Sequence, residues 1–150
     1  MLVAIKVAFA VIAALGAGFH LAAPMSQPSV SAPSGALFAA GSPLVPGRAV
    51  DRSFDVSTSG ATYLGLYMTG LHTSCPAPDA ASRLQLTVIR DGRPVYAGDV
   101  DDFARTHSAP SSALQVEPGT FDFRIRLDPT VDNSYQGCSS QVDINWMVAQ

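Results

Sequence analysis

An all-β domain is what this sequence predicts: an antiparallel β-sandwich of seven or eight strands, wired as a jelly roll or an immunoglobulin-like domain. Three observations carry the expectation. Apolar and polar residues alternate with a period of two over several stretches. Turn signals punctuate the chain at short intervals, and no stretch beyond Leu37 shows a helical period.

The elements follow in order. Val50, Phe54 and Val56 alternate with Asp51, Ser53, Asp55 and Ser57, the pattern of a strand with one buried and one wet face. Ala61 to Leu71 is apolar on both faces. Leu64, Leu66 and Met68 share one side, while Tyr63, Gly65 and Tyr67 share the other. Loops or a neighbouring edge covering the tyrosines is one reading; an exposed aromatic patch for another subunit is the second, because tyrosine is favoured at interfaces. Leu84, Leu86 and Val88 form the next strand. Asp91-Gly92 then supplies a tight hairpin, and Pro94 to Tyr96 returns as an edge strand. Phe121, Phe123, Ile125 and Leu127 alternate with polar residues, as do Val142, Ile144, Trp146 and Val148. Turns are expected at Val45-Pro46-Gly47-Arg48, Ser59-Gly60, Glu117-Pro118-Gly119 and Asp128-Pro129. The predicted core is Phe54, Val56, Leu86, Val88, Phe123, Ile125, Val142, Ile144 and Trp146.

The N-terminus speaks to the compartment. Lys6 precedes an unbroken apolar run from Val7 to Leu15, which continues through small residues to Leu21. Charge, apolar stretch and small residues in that order are the form of a secretory signal, here 1–23, with cleavage after Gly18 or Ala22 compatible with the small residues there. An uncleaved anchor is the alternative, although the run is short for a span of about 20 residues. Residues 24–36, rich in Pro and Ser, read as a flexible tether, and the folded domain is expected over 37–150. A secreted chain fits its two cysteines, Cys75 and Cys138. Paired, they close a loop of about 60 residues, worth roughly 4 kcal/mol through loop-closure entropy; free or metal-bound thiols are the alternative.

Charge and motif exclude several functions. The 150 residues carry nine basic and twelve acidic groups, net −3, and the only lysine is Lys6. The arginines are scattered among acids, so neither a nucleic-acid partner nor a membrane contact beyond the signal segment is expected. The metalloprotease, hydrolase and phosphate-loop motifs do not occur. His72 and His107 stand far from other ligand-type residues, and Asp99, Asp101 and Asp102 lack the calcium-loop pattern, reading as a solvated turn. No catalytic residue, metal ligand or cofactor is assigned, and the chain is expected not to be an enzyme.

Three passages resemble one known family. Leu44-Val45-Pro46-Gly47, with the strand Arg48 to Thr58 ending at Ser59-Gly60, resembles its "L-x-P-G-D…N-N/S-G-S" segment. Asp132-Asn133-Ser134-Tyr135-Gln136-Gly137-Cys138-Ser139 resembles its "N-x-Y-Q-G-x-S" segment. Val142 to Gln150 resembles its closing strand, and Phe38-Ala39-Ala40-Gly41 its "F-A-x-G-x-L" opening. The family is the TasA/camelysin group of secreted proteins that form biofilm-matrix or cell-surface fibres. Arg48 stands where that family has an acidic residue, and the cysteine pair departs from it. The resemblance implies a fibre subunit that self-associates into filaments, with other matrix proteins as further partners. It gives Pro46, Gly47, Asn133, Tyr135, Gln136 and Gly137 as structural positions; Gly137 supplies turn freedom and Tyr135 ties a loop to the sandwich. Assembly by β-strand addition would use the apolar stretch Ala36 to Val45, with Leu37, Phe38, Ala39 and Leu44 as donor residues. The rival readings are a monomeric exported sandwich binding a surface partner or carbohydrate, and a camelysin-like metallopeptidase, for which the sequence offers no zinc motif.

Overall fold

The structure, a computed structural model, describes residues 2–9, 28–32, 35–38, 45–74, 77, 79–135 and 138–149. Its strands are β1 (Leu2–Phe9), β2 (Ser29–Ser31), β3 (Gly35–Phe38), β4 (Ala49–Ser59), β5 (Tyr63–Ser74), β6 (Leu84–Arg90), β7 (Arg93–Asp99), β8 (Leu114–Val116), β9 (Gly119–Leu127) and β10 (Ser139–Ala149). One helix, α1 (Val100–Thr106), follows β7. The strands form two five-stranded sheets, ordered β3-β1-β10-β5-β8 and β2-β4-β9-β6-β7. All described pairings are antiparallel except β1 with β10, which is parallel. The predicted β-sandwich is therefore the fold, with ten described strands in place of seven or eight.

The core lies where the alternation puts it. Val56, Leu86, Val88, Phe123, Ile125, Ile144 and Trp146 are all buried, and Phe54 is partly buried against them. The two sheets meet through aromatic rings. Trp146 of β10 packs edge-on to Phe121 at 4.9 Å and to Phe54 at 6.1 Å, while Phe54 stacks on Phe123 at 5.3 Å. Such pairs add to the area they bury. The side chain of Val142 lies outside what the structure describes.

Turn chemistry explains the corners. Arg48 N donates to Val45 O at 3.0 Å across Pro46-Gly47, and Gly47 has φ +77°. Proline second and a positive-φ glycine third is what a type II turn requires. In the β6–β7 hairpin both Asp91 (φ 47°) and Gly92 (φ 77°) are left-handed, as a two-residue type I′ turn demands.

Two expectations need correction. The stretch read as a tether contains β2, whose Ser29–Ser31 pairs with Ser57–Ser59 of β4, and Val30 and Ala32 pack against the core. The free edge of β4 supplies the hydrogen bonds that a Pro/Ser-rich segment would not organise alone. The acidic run after Gly98 is not a solvated turn but opens α1. Val100 and Phe103, three residues apart, are buried, with Asp101 and Asp102 in the first turn and Arg105 in the last. Leu2–Phe9, within the segment read as an export signal, stands as a strand beside β10.

Candidate functional site

The first region of interest is the β10 edge. On one side β10 pairs with β5 over almost its whole length, and on the other with β1. In that register Val3, Ile5, Val7 and Phe9 stand opposite Ser140, Val142, Ile144 and Trp146. The chain therefore alternates here too, a signal hidden by the longer apolar run that follows. Lys6 is in register with Asp143, whose Oδ1 is buried without a hydrogen-bond partner among the described residues. Asp143 also marks an irregularity in the β5–β10 ladder, beside Gly70 (φ +64°), as β-bulges do. Asn145 is buried on this strand, and its Nδ2 donates to Thr69 Oγ1 at 2.9 Å.

The donor residues divide. Leu37 and Phe38 lie in β3, which pairs antiparallel with β1 of the same chain. Ala39 and Leu44 lie outside the described residues, as do Cys75, Gln136 and Gly137.

The tyrosine face is largely covered: Tyr67 is buried, against the exposed-patch reading, and Tyr63 is half-buried. Tyr67 is only 4% exposed, and burial raises its hydroxyl pKa. The segment after the 3-10 turn at Pro110–Ser112 crosses this face: the Tyr63 hydroxyl donates to Ala113 O at 3.3 Å. A Cβ at Gly65 would come within 2.8 Å of both Ala113 Cβ and Met147 Cγ, so glycine permits the close approach. His107 completes the cover. Its carbonyl accepts from Met68 N at 2.8 Å, and its ring lies 4.7 Å from Phe103. Beneath the helix, Tyr96 is pushed up to about 12, by burial first and then by the nearby Asp102 and Asp99 charges.

The second region is a polar cluster at one end of the sandwich. Tyr135, in a 3-10 turn at Asn133–Tyr135, donates its hydroxyl to Asp79 Oδ1 at 2.6 Å. Arg83 Nε donates to Asp79 Oδ2 at 3.0 Å and its guanidinium lies 3.7 Å from Asp128. Asp128 accepts from Thr130 N, and Asp132 from Ser134 N, both at 2.8 Å. The connections β5–β6 and β9–β10 are thus tied together by side chains 56 positions apart. Asn133 is exposed. Cys138 is wholly buried, and its backbone N–H donates to Tyr135 O at 3.3 Å.

These bonds set a pH dependence. Asp79 is held below its ordinary 3.8, chiefly by the Tyr135 hydroxyl and then by Arg83. Asp128 and Asp132 are lowered by their Thr130 and Ser134 bonds. A depressed carboxylate stabilises the fold above its ordinary value and loses that contribution as pH falls through the folded value. Tyr135 is raised above 10.0 by its bond to Asp79, so at the alkaline end the clamp is lost as pH rises through that raised value. The clamp is therefore expected to hold between about pH 4 and 10 and to open in acid. Protection of the amides at 79–83 and 132–135, relative to their intrinsic exchange, should fall below about pH 4, and Asp79→Asn should remove most of that acid response. An acid response unchanged in Asp79→Asn would refute this assignment.

A third region is an open groove of about 380 Å³ lined by Asp51, Arg52, Ser53, Ile89, Asp122 and Arg124. Arg124 Nε donates to Asp51 Oδ1 at 2.7 Å, so part of its charge is already paired. Among the described residues no three His, Cys, Asp or Glu side chains gather as a metal-ligand group; His72 is exposed on β5 and His107 lies under the turn.

These features define a β-sandwich whose sheet edge beside β10 is completed by N-terminal strands. No protein-family model matches the chain, and no curated protein matches it.

Proposed function

We propose that this chain is a secreted structural subunit of an extracellular matrix or cell-surface fibre, assembled by β-strand addition and without enzymatic activity. The observation that carries the proposal is the edge of β10. It is completed by strands from the N-terminal 38 residues rather than by the body of the sandwich. Main-chain pairing at such an edge supplies affinity without a shaped pocket. The resemblance of the Pro46-Gly47, Asn133–Gly137 and closing-strand passages to the TasA/camelysin group points the same way. The apolar Ala36 to Val45 stretch is the donor, with other matrix proteins as secondary partners.

Export brings an oxidising compartment, and a Cys75–Cys138 disulfide belongs to the proposal. The antiparallel ladder pairs Ser74 with Ser139. Cys75 follows Ser74 in the sequence and Cys138 precedes Ser139, which is the sequence ground for pairing them.

Electron microscopy of the exported protein, purified without its leader, tests the reading. Filaments that disappear on deletion of Ala36 to Val45 are expected. Protein that stays monomeric across concentration and pH would instead make this a monomeric surface module, and a chelator-sensitive peptidase activity would make it an enzyme.

A further inference from the structure

We infer that β1 occupies the seat of β3, and that loss of the N-terminal leader lets β3 move in beside β10. The inference rests on the reading of an exported chain and adds to it a strand exchange triggered by processing.

The wiring carries it. From β4 onward the chain passes back and forth between the sheets: β4 in one, β5 in the other, β6 and β7 back, then β8, β9 and β10 in alternation. By that rule the strand leading into β4 belongs in the β10 sheet. It is there, as β3, but one place too far out, because β1 lies between β3 and β10. Direction agrees. The β1–β10 pair is the one parallel pairing described, and parallel pairing is slightly weaker per residue. Because β3 runs antiparallel to β1, it also runs antiparallel to β10. Removing β1 and closing the gap by one strand spacing, about 4.8 Å, would make every described pairing antiparallel.

The seat will not stay empty. Ile144 and Trp146, wholly buried, border it, and the outward backbone groups of an 11-residue strand would lose their partners. Both flanks of β3 are already fixed on the sandwich. Ser29–Ser31 pairs with one end of β4, and Gly47 N donates to Leu127 O at 3.1 Å just before its other end. An occupant tethered on both sides has a high effective concentration, which makes the chain's own β3 the incoming strand. Between copies, the same strand swapped in trans would give the head-to-tail assembly proposed above.

Nuclear Overhauser contacts and amide exchange at low protein concentration test the exchange. In the full chain, produced without export, β10 should show contacts to Leu2–Phe9. In a chain lacking residues 1–23 it should show contacts to Gly35–Phe38, with the outward β10 amides still protected. In that shorter chain, Leu37→Asp should raise exchange of those amides by roughly tenfold or more, as expected of a charge placed against an apolar edge. The same substitution in the full chain should leave them largely unchanged, since β1 holds the seat. Unprotected β10 amides in the shorter chain, or a dimer paired through β10 at low concentration, would overturn the exchange. Its failure is separable from that of the fibre reading. A leaderless monomer with β3 against β10 that never forms filaments keeps the exchange and sinks the fibre. Filaments in which β10 makes no contact with 35–38 do the reverse.

Discussion

Replacing Trp146 with alanine is expected to destabilise the domain by about 3–5 kcal/mol, the usual cost of truncating a large core aromatic. The side chain is wholly buried between the sheets and meets both Phe121 and Phe54 across the core. Its loss removes ring contacts and opens a cavity that two strands from opposite sheets would have to collapse to fill. A loss of that size is a large part of a typical domain stability of roughly 5–15 kcal/mol. Trp146→Phe keeps a ring and also removes an indole N–H that is buried without a hydrogen-bond partner among the described residues, so it should cost markedly less. Urea unfolding followed by circular dichroism measures both. A Trp146→Ala loss below about 1 kcal/mol would mean that the sheets do not pack through this residue.

The second large effect concerns the cysteines. With Cys75 and Cys138 paired as proposed, reduction, or Cys75→Ser, is expected to cost about 2–5 kcal/mol, the usual loss for a disulfide in a small secreted domain. Cys138 is wholly buried, so Cys138→Ser adds the burial of a hydroxyl and should be the more damaging of the two. The bond would cross-link the same two connections that Tyr135 and Asp79 join. Tyr135→Phe should therefore be tolerated in the oxidised protein and felt more strongly in the reduced one. Mass analysis of the unreduced protein showing two free thiols would remove the effect at its source.

Most of the sandwich was legible because the period of two is a local signal. Phe121 to Leu127 and Val142 to Val148 read directly as half-buried strands, and Asp91-Gly92 as their kind of hairpin turn. What escaped was structure whose cause lies elsewhere in the chain. β2 is held by the edge of β4, which no property of Ser29-Val30-Ser31 announces. The helix α1 is seven residues long, too short for a period to emerge, although Val100, Phe103 and Ala104 carry its spacing. β1 was masked because Val3, Ile5, Val7 and Phe9 merge into a longer apolar run that also reads as a leader. The Asp79–Tyr135 clamp joins residues 56 apart, and only the fold brings them together. Of the candidate site, Gly35–Phe38 overlaps the apolar stretch singled out in the sequence; the edge beside β10 could not be read there.

The outer edges of the other sheet bear on how such a molecule stays in solution. Beyond its short pairing with β2, β4 has no described strand along 49–56 on its free side, and it carries Asp51, Arg52 and Asp55 there, all exposed. Arg52 occupies a position of core-facing parity, between Val50 and Phe54. A neighbour pairing edge to edge would have to dehydrate that guanidinium. At the opposite margin, β7 begins with exposed Arg93 and Pro94, and a proline has no N–H to offer a ladder. Charge turned inward and a missing donor are ways of making an edge sterile. Edges of this kind disfavour pairing along this sheet, and a fibre of the proposed kind would grow through the β10 sheet.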